Sequence, residues 1–192
     1  MTGVTVWLTG LPSAGKSTIA RAAAGLLRAA GRRVEILDGD EVRANLSPRL
    51  GFSREDRADH VRRIGWTAML LARNGVTVLA PVIAPYRDAR AEVRAMHQAG
   101  GTRYLEVHVA TTVEVCRDRD VKELYARQAR GDLRGLTGVD DPYEEPVDPD
   151  LRIDTHGVSV EAAVRTLMAA VSASHLVAHP QQIRRGGEAL SG

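Results

Sequence analysis

Cysteine is nearly absent. Cys116 is the only one in 192 residues, so no disulfide can form within the chain, and a reducing compartment is its natural setting. With no base or metal partner near it in the sequence, Cys116 reads as a small buried apolar residue. Aromatic residues are 4% of the chain, and Phe52 is the single phenylalanine. No sign of charge dominates: 26 Lys and Arg against 24 Asp and Glu leave a net charge of +2. The arginines are scattered without a long basic run, which argues against a nucleic-acid partner. No apolar run approaches the roughly 18 residues that a membrane span needs. The first residues run directly into a strand, with no signal-peptide pattern, so a cytoplasmic location is expected. No repeat is evident. What remains is ordinary globular composition, 44% hydrophobic and 26% charged. The length suits one domain, expected over residues 1–174, with a flexible tail over 175–192 that has no sustained period.

The most informative stretch is "GLPSAGKST", residues 10–18. Gly10, Gly15, Lys16 and Ser17 have the spacing G-x-x-x-x-G-K-[ST] of a phosphate-binding loop. Its glycines let successive backbone N–H groups turn toward phosphate oxygens. Lys16 adds a cation near the β- and γ-phosphates, and the Ser17 hydroxyl is placed to ligate Mg²⁺. Lys16 is expected on the surface of the loop. The flanks agree with the motif. "VTVWLT" before it reads as a buried strand. After it, Ile19, Ala22, Ala23, Leu26, Leu27 and Ala30 recur at helical spacing up to Gly31. A helix N-terminus behind the loop adds its own attraction for anions.

Four further strands are predicted in "RRVEILDGD", "GVTVLAPVIAP", "RYLEVHVAT" and "LRIDT". Helices are predicted over roughly 16–30, 53–73, 87–99, 112–130 in two pieces, and 158–173. This alternation implies an α/β fold of the P-loop NTPase type: a mainly parallel five-stranded sheet with helices on both faces. Ligands in such sheets bind beyond the carboxyl ends of the strands. Residues 131–150 are rich in Gly, Pro and Asp, and a connection this long reads as a binding segment or lid.

Phosphoryl transfer also needs a group to orient the attacking hydroxyl. Asp40, expected at the end of the second strand, is the candidate. It could accept the hydroxyl proton or hold Mg²⁺ through water, while Asp38 reads more simply as a turn cap around Gly39. The third strand has no acidic residue at the end of its apolar run, which argues against a motor or GTPase. Ser53 and Asp56 resemble a capping box. Arg57 and His60 lie one turn before the apolar residues Val61 and Ile64, so both should face inward. Arg57 there requires an anion, either a structural carboxylate or a substrate phosphate or sulfate. His60 by itself fits a packed or surface histidine better than a catalytic one.

The stretches "GLPSAGKST", "LDGDEVR", "LGFSREDRADHVRR", "VIAPYRDAR", "RDVKELYARQARGDLRGLTGVDDPYEEP" and "LRIDT" together resemble the adenylylsulfate kinase (APS kinase) family over about residues 3–172. The resemblance implies transfer of the γ-phosphate of ATP, with Mg²⁺, to the 3′-hydroxyl of adenosine 5′-phosphosulfate (APS), giving PAPS and ADP. It implies ATP contacts from Gly10, Ser13, Ala14, Gly15, Lys16, Ser17, Thr18 and Arg119. Lys16, Asp40 and Lys122 would be catalytic, and Ser17 and Asp40 would serve the metal, Asp40 through water. The acceptor would be held by Asp40, Arg43, Phe52, Arg57, His60, Ile83, Ala84, Lys122, Gly135 and Leu136. Phe52 would stack on its adenine and Leu136 would cover it, under a lid of about residues 119–148. A homodimer is implied, acting on small molecules and not on nucleic acid or membrane. Several positions depart from the family pattern: Pro12 and Ser13 in the loop, and His60, Ala84, Glu123 and Leu136 elsewhere. Three of these, His60, Ala84 and Leu136, lie on the acceptor side, so the alternative is a related phosphotransferase with another small hydroxyl acceptor.

Overall fold

A β-branched, wholly buried strand, β1 (Val4–Thr9), forms the centre of the sheet in a computed structural model that describes residues 3–176. The strands β2 (Val34–Ile36), β3 (Thr77–Pro81), β4 (Arg103–Val109) and β5 (Leu151–Ile153) complete a five-stranded sheet of order β2-β3-β1-β4-β5. Every pairing is parallel, with Val4 opposite Thr77 on one side and Arg103 on the other. Parallel strands need crossover helices, and these cover both faces. On one face α1 (Lys16–Ala29) and α7 (Val160–Leu176) pack together, and Ile19, Ala23 and Leu27 meet Val6, Leu8, Val107, Val164 and Leu167 in the larger core. On the other, α3 (Arg54–Arg73) and α4 (Arg87–Ala99) pack Val61, Ile64 and Val93 against Trp7 and Ala80.

The predicted sheet and helices are present, with three differences. The second strand is only three residues long, and Asp38-Gly39-Asp40 opens a helix, α2 (Gly39–Leu46), that the sequence pattern did not show. Only Val42 of α2 is buried, so it carries no apolar period to read. Asp38 caps it by accepting from the Asp40 N–H at 3.2 Å. The third strand ends at Pro81 and leaves residues 82–86 irregular. The last helix runs to Leu176, past the expected start of the tail; the rest of that tail, 177–192, lies outside the described residues. Two short helices, α5 (Val113–Arg119) and α6 (Leu124–Ala129), precede the irregular 130–150 segment, as expected. The Ser53 hydroxyl accepts from Asp56 N–H at the start of α3, the backbone half of the capping box. Cys116 is fully buried, and burial pushes its thiol pKa up, as fits an apolar packing residue.

Candidate active site

The carboxyl ends of β1, β2 and β3 open into a cleft of about 930 Å³. The loop between β1 and α1 forms its floor. Gly10 has φ 154, and a Cβ there would lie 2.5 Å from the Val109 carbonyl oxygen, so only glycine fits. Lys16 folds back beneath the loop and donates to the carbonyls of Gly10 at 2.9 Å and Leu11 at 2.7 Å. It is therefore buried rather than on the loop surface, with 8% exposure, and burial lowers its pKa to about 8. Ser13, Gly15, Ser17 and Thr18 line the cleft with it. Gly10 and Ala14 instead support the loop from behind. The Ala14 side chain is fully buried, and its carbonyl accepts from Thr111 and Thr155 hydroxyls at 3.1 and 3.2 Å. Arg119 reaches the same corner by donating to the Thr155 hydroxyl and carbonyl, each at 2.8 Å.

Two aspartates at the start of α2 divide the work expected of one. The Ser17 hydroxyl donates to Asp38 Oδ2 at 2.8 Å, so the carboxylate beside the loop serine is Asp38 rather than Asp40. Asp38 is thus both a helix cap and a wall of the phosphate site, which the turn-forming context of Asp-Gly-Asp concealed. Asp40 lies in the first turn of α2, not at a strand end, and is ion-paired with Lys122 from across the cleft. Both members of that pair are exposed. Among the described residues no group of three or more His, Cys, Asp or Glu side chains could hold a metal ion by itself. The oxygen donors at hand are the Ser17 hydroxyl and the Asp38 and Asp40 carboxylates, hard ligands that suit Mg²⁺ when phosphate oxygens and water complete its shell.

The opposite wall comes from α2, α3 and the 130–150 segment. Phe52 projects into solvent with 66% exposure, and the guanidinium groups of Arg43 and Arg57 lie 4.9 and 5.6 Å from its ring centre. Arg43 also donates to the Gly51 carbonyl at 2.9 Å. Arg57 has found a structural carboxylate: it pairs with Asp141 at 2.9 Å. It further donates to the carbonyls of Phe52 and Gly135 and to the Thr137 hydroxyl, at 2.8, 2.7 and 2.8 Å. Most of its donors are therefore engaged in joining α3 to the covering segment. Gly135 is held by this cluster, with φ 71 and only 3.2 Å between a notional Cβ and Asp141 Oδ2.

His60 is a packed histidine. Its Nε2 meets the Gly39 carbonyl and its Nδ1 the Ser47 hydroxyl, both at 3.1 Å. A carbonyl can only accept, so Nε2 carries the proton and Nδ1 accepts from serine. Burial first, then the nearby Arg43 charge, lowers the pKa of His60 to about 4, so it stays neutral. Both ring nitrogens tie α3 to the two ends of α2, although the ring edge still borders the cleft. Ile83 and Ala84 continue the wall. Ala84 holds a left-handed φ of 43, and its carbonyl accepts from Arg90 at 2.7 Å. Arg90 is itself buried against Glu106 at 2.9 Å and donates to the Glu144 carbonyl at 2.6 Å. This anchor between the Ile83–Ala84 wall of the cleft and the end of the 130–150 segment had no local sequence signal. Leu136 lines the cleft but packs into the larger core at 5% exposure, so it is more than a cover for a ligand.

Eight cationic side chains and two carboxylates line this one cleft. A glycine loop between the central parallel strand and its helix, facing such a cleft, defines the chain as a P-loop kinase. It belongs to the adenylylsulphate kinase family, whose model matches residues 2–154. An adenylyl-sulfate kinase of Picosynechococcus is 49% identical over 166 residues, covering 86% of this chain and 92% of that protein. One from Chloroflexus aurantiacus is 50% identical over 175 residues, covering 91% and 92%. The solved structure of the Mycobacterium tuberculosis APS kinase CysC, in complex with AMPPNP and APS, superposes with a TM-score of 0.87 at 38% identity. It covers 89% of this chain and 98% of that one.

Proposed function

We propose that the chain transfers the γ-phosphoryl group of ATP to the 3′-hydroxyl of APS, releasing ADP and PAPS. The observation that carries this reading is a single strongly cationic cleft with a phosphate loop on one side and, on the other, an exposed aromatic ring flanked by arginines. Two anionic nucleotides side by side would require such a site. In the reaction the O3′–Pγ bond forms as the bond from Pγ to the β,γ-bridging oxygen breaks. Asp40 accepts the hydroxyl proton. Lys16 leaves the Gly10 and Leu11 carbonyls for the phosphates, where its charge offsets that building on the transferred group. Lys122, already at Asp40, adds a second cation from the covering segment. Mg²⁺, held by Ser17 with Asp38 and, through water, Asp40, would neutralise phosphate charge.

Phe52 stacks the acceptor adenine, and Arg43 holds its phosphosulfate. Residues 119–148 act as a lid that excludes water, with Arg57 as its fastening to α3. We further propose that the protein functions in the cytoplasm as a homodimer. Among the described residues no helix is long and apolar enough to cross a membrane. The test is ADP release from ATP and Mg²⁺ with and without APS, with Lys16→Ala as the inactive control. APS should accelerate release strongly in the wild type. ATP binding with no response to APS would overturn this acceptor and favour another hydroxyl compound.

A further inference from the structure

Ser13 bears two costs in the loop that nothing else in its surroundings offsets. Its φ of 61 puts a non-glycine residue in the left-handed region, which costs about 1–2 kcal/mol. Its Oγ is buried yet, among the described residues, has no hydrogen-bond partner. Buried hydroxyls are ordinarily satisfied, and an orphan calls for a reason. Of the other hydroxyls near the loop, Ser17 is committed to Asp38, Thr111 and Thr155 are committed to the Ala14 carbonyl and to each other, and Thr18 is exposed to solvent. Among the described residues that line the cleft, only Ser13 has a buried hydroxyl without a partner. Strain and unsatisfied polar groups persist at sites where a ligand makes use of them.

We propose that the Ser13 hydroxyl is a specificity-determining donor to the γ-phosphate, which lets the loop distinguish a triphosphate from the diphosphate product. This rests on the assignment of the loop to ATP. The loop backbone and the helix N-terminus cradle the inner phosphates and Lys16 reaches the β- and γ-phosphates; Ser13, three residues earlier in the same loop, would add a side-chain donor beside Lys16. Rotation to another staggered χ1 well would bring the hydroxyl out of its buried position toward a ligand in the cleft. The contact would be a charge-assisted hydrogen bond made with ATP and lost with ADP.

The experiment measures Kd for AMPPNP and for ADP, each with Mg²⁺, by calorimetry on the full chain, for wild type, Ser13→Ala and Ser13→Gly. Ser13→Ala removes the hydroxyl and keeps the strained backbone; Ser13→Gly removes both and is expected to melt no lower than wild type. Each variant should bind AMPPNP about tenfold more weakly, the scale of one hydrogen bond to a charged group, with ADP affinity within about twofold. Equal losses for both nucleotides, or no loss for either, would overturn the proposal while leaving the loop as the ATP site. A wild type that binds neither nucleotide would overturn the underlying assignment as well.

Discussion

His60→Asn should remove a specific part of the acid sensitivity of the fold. His60 is 7% exposed and neutral, with a pKa near 4 in the folded chain against an ordinary 6.5. Between these values the unfolded chain binds a proton at this position that the folded chain does not. The contribution is therefore complete above about pH 6.5 and is lost as pH falls toward 4. At about 1.4 kcal/mol per pH unit, moving from about pH 7 to about pH 5 would cost roughly 2 kcal/mol for the full difference. Because the ring edge borders the cleft, water reduces this to about 1–2 kcal/mol. Asparagine does not titrate, and its amide, at the level of the ring Nδ1, can still accept from Ser47, while the bond to the Gly39 carbonyl is lost equally at both pH values. Urea unfolding of both proteins at the two pH values isolates the effect. The wild type should lose about 1–2 kcal/mol more than the variant. Parallel losses would refute a neutral, buried His60 and the tie it makes between α2 and α3.

Three further outcomes follow from the same geometry. Asp40→Asn should lower kcat by at least about a hundredfold, the scale of general-base assistance, with ATP Kd changed little; the reverse pattern would make Asp40 a structural residue of α2. Arg57→Lys keeps the charge but loses the fork that reaches Thr137, Gly135 and Asp141 together. Limited proteolysis should then cut the 130–150 segment faster, and stability should fall by about 1–3 kcal/mol. Arg90→Met should destabilise the fold by about 3 kcal/mol in denaturant melts, because it leaves Glu106 short of a buried partner and frees the Ala84 carbonyl.

The parts of the site that were legible in the sequence are those written locally. The loop around Lys16 needs only eight neighbouring residues and the periodicity on either side. The Ser53 cap and the inward placement of Arg57 and His60 came from helical spacing. What could not be read depends on contacts between distant segments. Arg57 had to meet some anion, but Asp141 lies 84 residues away and is brought in by the fold. Asp38 looked like a turn former because the hydroxyl it accepts, on Ser17, belongs to another element. The helix α2 escaped notice because a single buried side chain cannot establish a period. The buried position of Lys16 is not legible because the loop's own carbonyls, which draw it inward, are invisible in a list of side chains.

The sheet has a consequence for how copies of the chain can meet. Both of its edges are strands of three residues, Val34–Ile36 and Leu151–Ile153. An open edge is a template for another backbone only where enough unpaired amide and carbonyl groups stand in a row. Two such short edges offer little to copy, so joining sheets end to end is a poor route to assembly or to fibres. Association through side chains elsewhere on the surface leaves sequence free to change the partner without touching the central strand that carries the loop.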